Sequence, residues 1–176
     1  NSTGIYTYDS GSGDTIISTR GTVEGLSGYA INTVNDVSST GNIIINNSGT
    51  LIGDWIGIGA EPYGTGSIVI DSSGIIKGTT GYGISANITN LLSVESINIT
   101  QSSGNIFGGR YGISTVNFGT GETILSISGS VSGGTGSGIL TDESSGNSVI
   151  VNLNQGANVT ATSGYAILDT NGDSTV

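Results

Sequence analysis

Carboxylates are the residues in this chain most able to do chemistry. The chain has 13 acidic residues and only 3 basic ones, Arg20, Lys77 and Arg110, which are far apart in sequence. Two carboxyls flanking a bond can hydrolyse a glycoside, and lyase chemistry on a polysaccharide also needs a cation to hold an enolate-like charge. Asp142 and Glu143 are adjacent, so in a strand they point to opposite faces. No set of Asp or Glu recurs in a pattern that would line a cleft. There is no histidine, so a hydrolytic Ser-His-Asp triad is excluded. With no cysteine either, disulfides and Cys/His metal sites are excluded too. The stretch SGSGDTI, residues 10–16, faintly resembles a glycine-Asp calcium-binding repeat but occurs once, and such sites need consecutive copies to complete a ligand shell. The expectation is of no catalytic residue, no cofactor and no metal.

Binding chemistry has better candidates. DWIGIGAEPYG, residues 54–64, holds the only Trp and the only Pro. Trp55, Glu61 and Tyr63 form a candidate partner-contact loop that would offer two rings to a sugar or a protein. The competing reading packs Trp55 over a corner of the fold and uses Pro62 to stiffen a turn. Tyr29, Tyr82, Tyr111 and Tyr165 occupy one repeat position, as in GYAIN, GYGIS, RYGIS and GYAIL, with Ile56 and Ser137 as substitutes in the other coils. They read either as an aromatic face for carbohydrate or as a ladder of stacked rings, and stacking follows directly from repetition.

The net charge is −10. It leaves no electrostatic footprint for nucleic acid or anionic lipid. No segment approaches the roughly 18 consecutive apolar residues of a membrane span. The chain opens with NSTG rather than Met, and residues 1–176 are expected to be one segment of a longer repeat protein.

The elements that must position these residues follow from a repeat. A Gly-Ile or Ala-Ile pair places Ile5, Ile31, Ile58, Ile84, Ile113, Ile139 and Ile167 at intervals of 26, 27, 26, 29, 26 and 28 residues. A turn followed by an apolar residue keeps step at Val23, Leu51, Ile76, Ile106, Val131 and Val159, usually with a glycine two positions on (Gly25, Gly53, Gly78, Gly108, Gly133). Alternating aliphatics, such as Ile43-Ile44-Ile45 and Ile68-Val69-Ile70, supply a third segment. Each segment is too short for a helix and has period-two character. Three short strands per unit of about 27 residues predict a right-handed parallel β-helix, an all-β solenoid of six to seven coils. At about 4.8 Å per coil the rod is roughly 30 Å long. A β-sandwich has no reason to keep a 27-residue register. The segments after each Ile anchor, NTVNDVSSTGN, GAEPYGTGS and SANITNLLSVES, vary most and are expected to project from one side as partner-contact loops.

The coils SGTLIGDWIGI, SGIIKGTTGYGI, SGNIFGGRYGI and SGSVSGGTGSGI, each followed by a loop and an IxI strand, resemble the passenger regions of bacterial autotransporters of the pertactin-like, adhesin type. The resemblance spans nearly the whole chain, although the membrane barrel expected of that family has no counterpart in it. It implies a non-enzymatic adhesive or structural rod, outside the cell or on its surface and anchored through a region not in this chain. The implied partners are a surface protein or glycan of a host or neighbouring cell, and copies of itself by head-to-tail or lateral association. The alternative is a polysaccharide-active β-helix, a lyase, hydrolase or tailspike-like carbohydrate binder. It predicts clustered carboxylates and a basic residue on one face, and it fails if Asp54, Glu61, Asp142 and Glu143 are dispersed. Sequons such as Asn87-Ile-Thr, Asn98-Ile-Thr and Asn158-Val-Thr follow from composition alone and matter only if the host glycosylates its surface proteins.

Overall fold

The computed structural model describes residues 2–143, 147–170 and 173–175. All regular structure among them is β, arranged as three parallel sheets that wind into a solenoid. The first sheet stacks Ile5–Asp9, Tyr29–Asn35, Ile56–Pro62, Tyr82–Ile88, Tyr111–Asn117, Ile139–Glu143 and Ile167–Asp169 in that order. The second stacks Thr15–Thr19, Ile43–Asn47, Ile68–Ser72, Ile97–Gln101, Thr123–Ile127, Ser148–Leu153 and Asp173–Thr175. The third has six short strands: Thr22–Gly25, Thr50–Gly53, Ile75–Gly78, Asn105–Gly108, Ser130–Gly133 and Asn158–Ala161. Each strand inside a sheet pairs with the equivalent strands one coil before and one coil after, and those at the sheet ends with one, so backbone hydrogen bonds run along the rod.

The register is the sequence repeat itself. Ile5, Ile31, Ile58, Ile84, Ile113, Ile139 and Ile167 are consecutive Cα partners. Val23, Leu51, Ile76, Ile106, Val131 and Val159 form the matching column of the third sheet. Ile17, Ile45, Ile70, Ile99, Leu125 and Val151 form that of the second. These three columns converge on one continuous core. A fully buried aliphatic side chain contributes about 1.5–3 kcal/mol relative to an exposed one, so stacked rungs of Ile hold each coil to the next. The β-branched side chain suits this pleated, crowded position.

The glycines two residues after the third-sheet aliphatics mark the corner into the first sheet. A Cβ on Gly78 would lie 1.8 Å from the carbonyl oxygen of Tyr82, and one on Gly53 would lie 1.8 Å from that of Ile56. The chain bends back on itself too tightly there for any side chain.

One expectation changes. The residues after each Ile anchor are not loop throughout: Asn32–Asn35, Gly59–Pro62 and Ser85–Ile88 continue the first-sheet strands. Their inward positions carry Thr33, Ala60 and Ala86, all fully buried, and these small or polar residues conceal the alternation. The loops proper are shorter, and they expose Val37, Leu91, Leu92 and Val94 between the first and second sheets. The polar interior was also not evident. Asn35 and Asn117 are buried and donate to the carbonyls of Gly41 at 2.8 Å and Gly121 at 3.1 Å, which satisfies the turn backbone that follows each strand. Thr19, Asn47 and Ser72 likewise hydrogen-bond from coil to coil, at 2.9 and 3.1 Å.

Candidate binding groove on the first sheet

Beyond each Ile anchor, alternation along the first-sheet strands sends one set of residues outward; two residues before the anchor the alternation is broken, and Tyr29, Ile56 and Tyr82 also border the outer face. One outward column runs Tyr29, Ile56, Tyr82, Tyr111; a second runs Asn32, Gly59, Ser85, Ser114; a third runs Val34, Glu61, Asn87, Val116, Asp142. Between them lies a groove of about 440 Å³, bordered by Tyr29, Trp55, Tyr63, Tyr82 and Phe118 along with Glu61, Ser85, Asn87, Thr89 and Ser114. That volume falls in the range of small-molecule sites.

Trp55, Glu61 and Tyr63 thus line one groove, but they do not belong to one loop. Ile56–Pro62 is a strand of the first sheet with Ile58 and Ala60 buried, and Pro62 is its last residue rather than a turn. Trp55 precedes that strand at the corner and Tyr63 follows it. Trp55 combines the two competing readings. Its indole lies over Gly81, where a Cβ would come within 2.5 Å of the ring, and it meets the Tyr29 ring edge-on at 5.5 Å between centroids. Even so, 47 % of its surface is exposed.

The tyrosine column is a ladder only in part. Tyr82 and Tyr111 stack at 5.5 Å with an interplanar angle of 23°, and the Arg110 guanidinium lies 5.0 Å from the Tyr111 ring centre. Ile56 interrupts the stack between Tyr29 and Tyr82. Tyr29 leans instead over Gly59, where a Cβ would come within 2.6 Å of its ring. Tyr165 stands 67 % exposed. At the interruption Ile56 itself lines the groove, between the rings of Tyr29 and Tyr82.

Glu61 is the charged group in this groove. It accepts a hydrogen bond from the Tyr63 hydroxyl at 3.0 Å and one from the Asn87 amide at 3.4 Å, and that amide also donates to Ser85 at 3.1 Å. The hydrogen bond to Glu61, followed by its negative charge and by burial, raises the Tyr63 phenol above its ordinary pKa. Burial first, then the charge of Glu61, raises that of Tyr29. Both phenols therefore stay protonated, and Tyr63 remains a donor that orients the carboxylate. A carboxylate has about four lone-pair positions, so Glu61 keeps acceptor capacity for a ligand.

Among the described residues no other carboxylate lines this groove. Asp142 shares the outward column of Glu61 but lies three strand spacings away, about 14 Å along the rod. A glycosidase pair stands within about 5–9.5 Å. Glu143 points into the core at 1 % exposure, and Asp54 lies exposed at a corner. Asp14 joins neighbouring coils, accepting from the backbone and side-chain amides of Asn42 at 2.9 and 3.0 Å. Among the described residues no three potential metal ligands come together.

Sequence reasoning missed Tyr82, Ser85, Asn87, Ser114 and Phe118 as neighbours of Trp55. The usable signal was the register: with the coils aligned on their Ile anchors, the outward columns can be read across them. No protein-family model, curated protein or solved structure matches the chain.

Proposed function

We propose that this chain is a non-enzymatic β-solenoid rod that works by binding, as part of an adhesive or structural protein outside the cell or on its surface. The observation that carries this reading is the half-exposed Trp55, which stands with Tyr29, Tyr63 and Tyr82 around an oriented carboxylate on the outer face of the first sheet. Large exposed aromatics beside a few placed polar groups are the composition of recognition surfaces. The exposed loop residues Val37, Leu91 and Leu92 form a shelf next to the groove and share Tyr63 with it. The resemblance to autotransporter passengers points the same way, towards a surface protein or glycan of another cell as the partner. The distance from Glu61 to Asp142 speaks against a two-carboxylate hydrolase on this face.

Beads coated with the rod test the reading on monolayers of bacterial and epithelial cells, alongside beads carrying Trp55→Ala/Tyr63→Ala. Retention of the wild-type beads and loss of the variant beads is the expected result. In parallel, the soluble rod is incubated with plant, bacterial and animal polysaccharides. Release of reducing ends or unsaturated uronates would replace the binding role with the polysaccharide-active one.

A further inference from the structure

We infer that the ligand of this groove is a neutral glycan, seated with a sugar ring against the aromatic wall and its hydroxyls on Glu61. The inference rests on the binding role above and specifies the chemistry of its partner.

A pyranose is amphipathic in a particular way: its C–H faces are apolar and its rim carries hydroxyls that both donate and accept. The groove matches both halves. Trp55 and Tyr29 set two rings nearly at right angles, 78° apart, and Tyr82 adds a third ring on the same wall. Their faces suit an apolar C–H surface. Glu61 is an acceptor held in place by Tyr63 and Asn87, so it needs donors. Hydroxyls supply them, and a charge-assisted bond to a carboxylate is about twice as strong as a neutral one.

Charge selects among glycans. The residues lining the groove include Glu61 and no Lys or Arg, and the chain as a whole carries −10. A sialylated, uronic or sulfated chain would bring its anion against Glu61 with no cation to meet it, and like charges at close range are unfavourable. A proline-rich peptide also suits aromatic grooves, but proline has no N–H to donate, so it leaves the carboxylate unanswered. Shape agrees as well. The groove draws on four successive coils, from Tyr29 to Ser114, a span of about 14 Å along the rod. That suits an oligosaccharide lying along the axis better than a single sugar.

The only tryptophan lies in the groove, so its fluorescence reports occupancy directly. The wild-type rod is titrated with hexamers of glucose, mannose, galactose, xylose and N-acetylglucosamine, with a sialylated oligosaccharide, with a heparin hexamer and with decaproline. A saturable change with at least one neutral hexamer and none with the anionic chains or decaproline is expected. Glu61→Gln should weaken that binding about tenfold or more. Trp55→Ala, followed by calorimetry, should abolish it while the circular dichroism of the rod is unchanged. Binding of only the anionic oligosaccharides or only decaproline, or equal affinity in Glu61→Gln, overturns the inference. So does silence from every neutral hexamer on this panel. If that silence accompanies cell adhesion that depends on Trp55, the ligand class is wrong and the binding role stands. If a hexamer binds and is shortened, the glycan site stands and the non-enzymatic role fails.

Discussion

Glu143→Gln is expected to make the rod more stable above neutral pH and to leave it nearly unchanged in mild acid. Glu143 ends the strand Ile139–Glu143 with its side chain turned into the core, 1 % exposed. Thr115 donates to its Oε1 at 3.2 Å, and Oε2 has no hydrogen-bond partner among the described residues. Burial pushes the carboxyl up to about 7 from 4.5, with Asp169 and Asp142 adding charge of the same sign; Thr123 and Thr115 offset part of this, the former without a hydrogen bond of good geometry. A raised folded pKa means that the native rod holds a proton the unfolded chain has released. Stability then falls as pH rises above about 4.5, by up to about 1.4 kcal/mol per pH unit, and levels off above about 7. The total cost of ionising this group is about 3 kcal/mol. Glutamine keeps the size and the hydrogen bond to Thr115 but cannot ionise. Urea unfolding of both proteins at pH 5 and pH 8.5 isolates the effect, because the remaining carboxylates are common to the two. The advantage of the variant should widen by roughly 2–3 kcal/mol between those pH values. Coils couple mainly to their neighbours, so amide exchange in Ser148–Leu153 should slow in the variant at pH 8.5. A gap between the two proteins that stays constant with pH would refute the reasoning.

Two further perturbations probe the architecture. Gly78→Ala should destabilise the rod by about 1–3 kcal/mol or more, because its Cβ would sit 1.8 Å from a backbone oxygen. Gly21→Ala, with nothing within 4 Å of the new methyl, should stay within about 0.5 kcal/mol; thermal unfolding of the pair checks both. Ile84→Ala, at a fully buried rung between Ile58 and Ile113, should cost about 2–5 kcal/mol, measured by denaturant unfolding. A smaller loss would mean that adjacent rungs collapse into the cavity.

Much of the fold was legible because a solenoid writes its register into the spacing of like residues. The Ile anchors could be paired from sequence alone, since each coil meets only its neighbours and repeats their pattern. The opposite orientations of Asp142 and Glu143 were legible for an equally local reason, the alternation of a strand. The stretch from Asn32 to Asn35 was not: Thr33 in the core looks no different from Thr in a turn, and only burial distinguishes them. Trp55, Glu61 and Tyr63 could be picked out by composition, being the rare aromatics and a nearby acid in a chain of small residues.

The sequence by itself determined that this chain coils, how many residues make a coil and which aliphatics face inward, because those are properties of a period. Only the tertiary structure decided that Trp55 rests on Gly81 and against Tyr29, that Tyr29 leans over Gly59, and that Glu61 is held by Tyr63 and Asn87. Those contacts join side chains on the outer face, some of them in different coils. There the period sets which positions are adjacent but not which way a ring leans, and the ring settles wherever a neighbouring glycine leaves room.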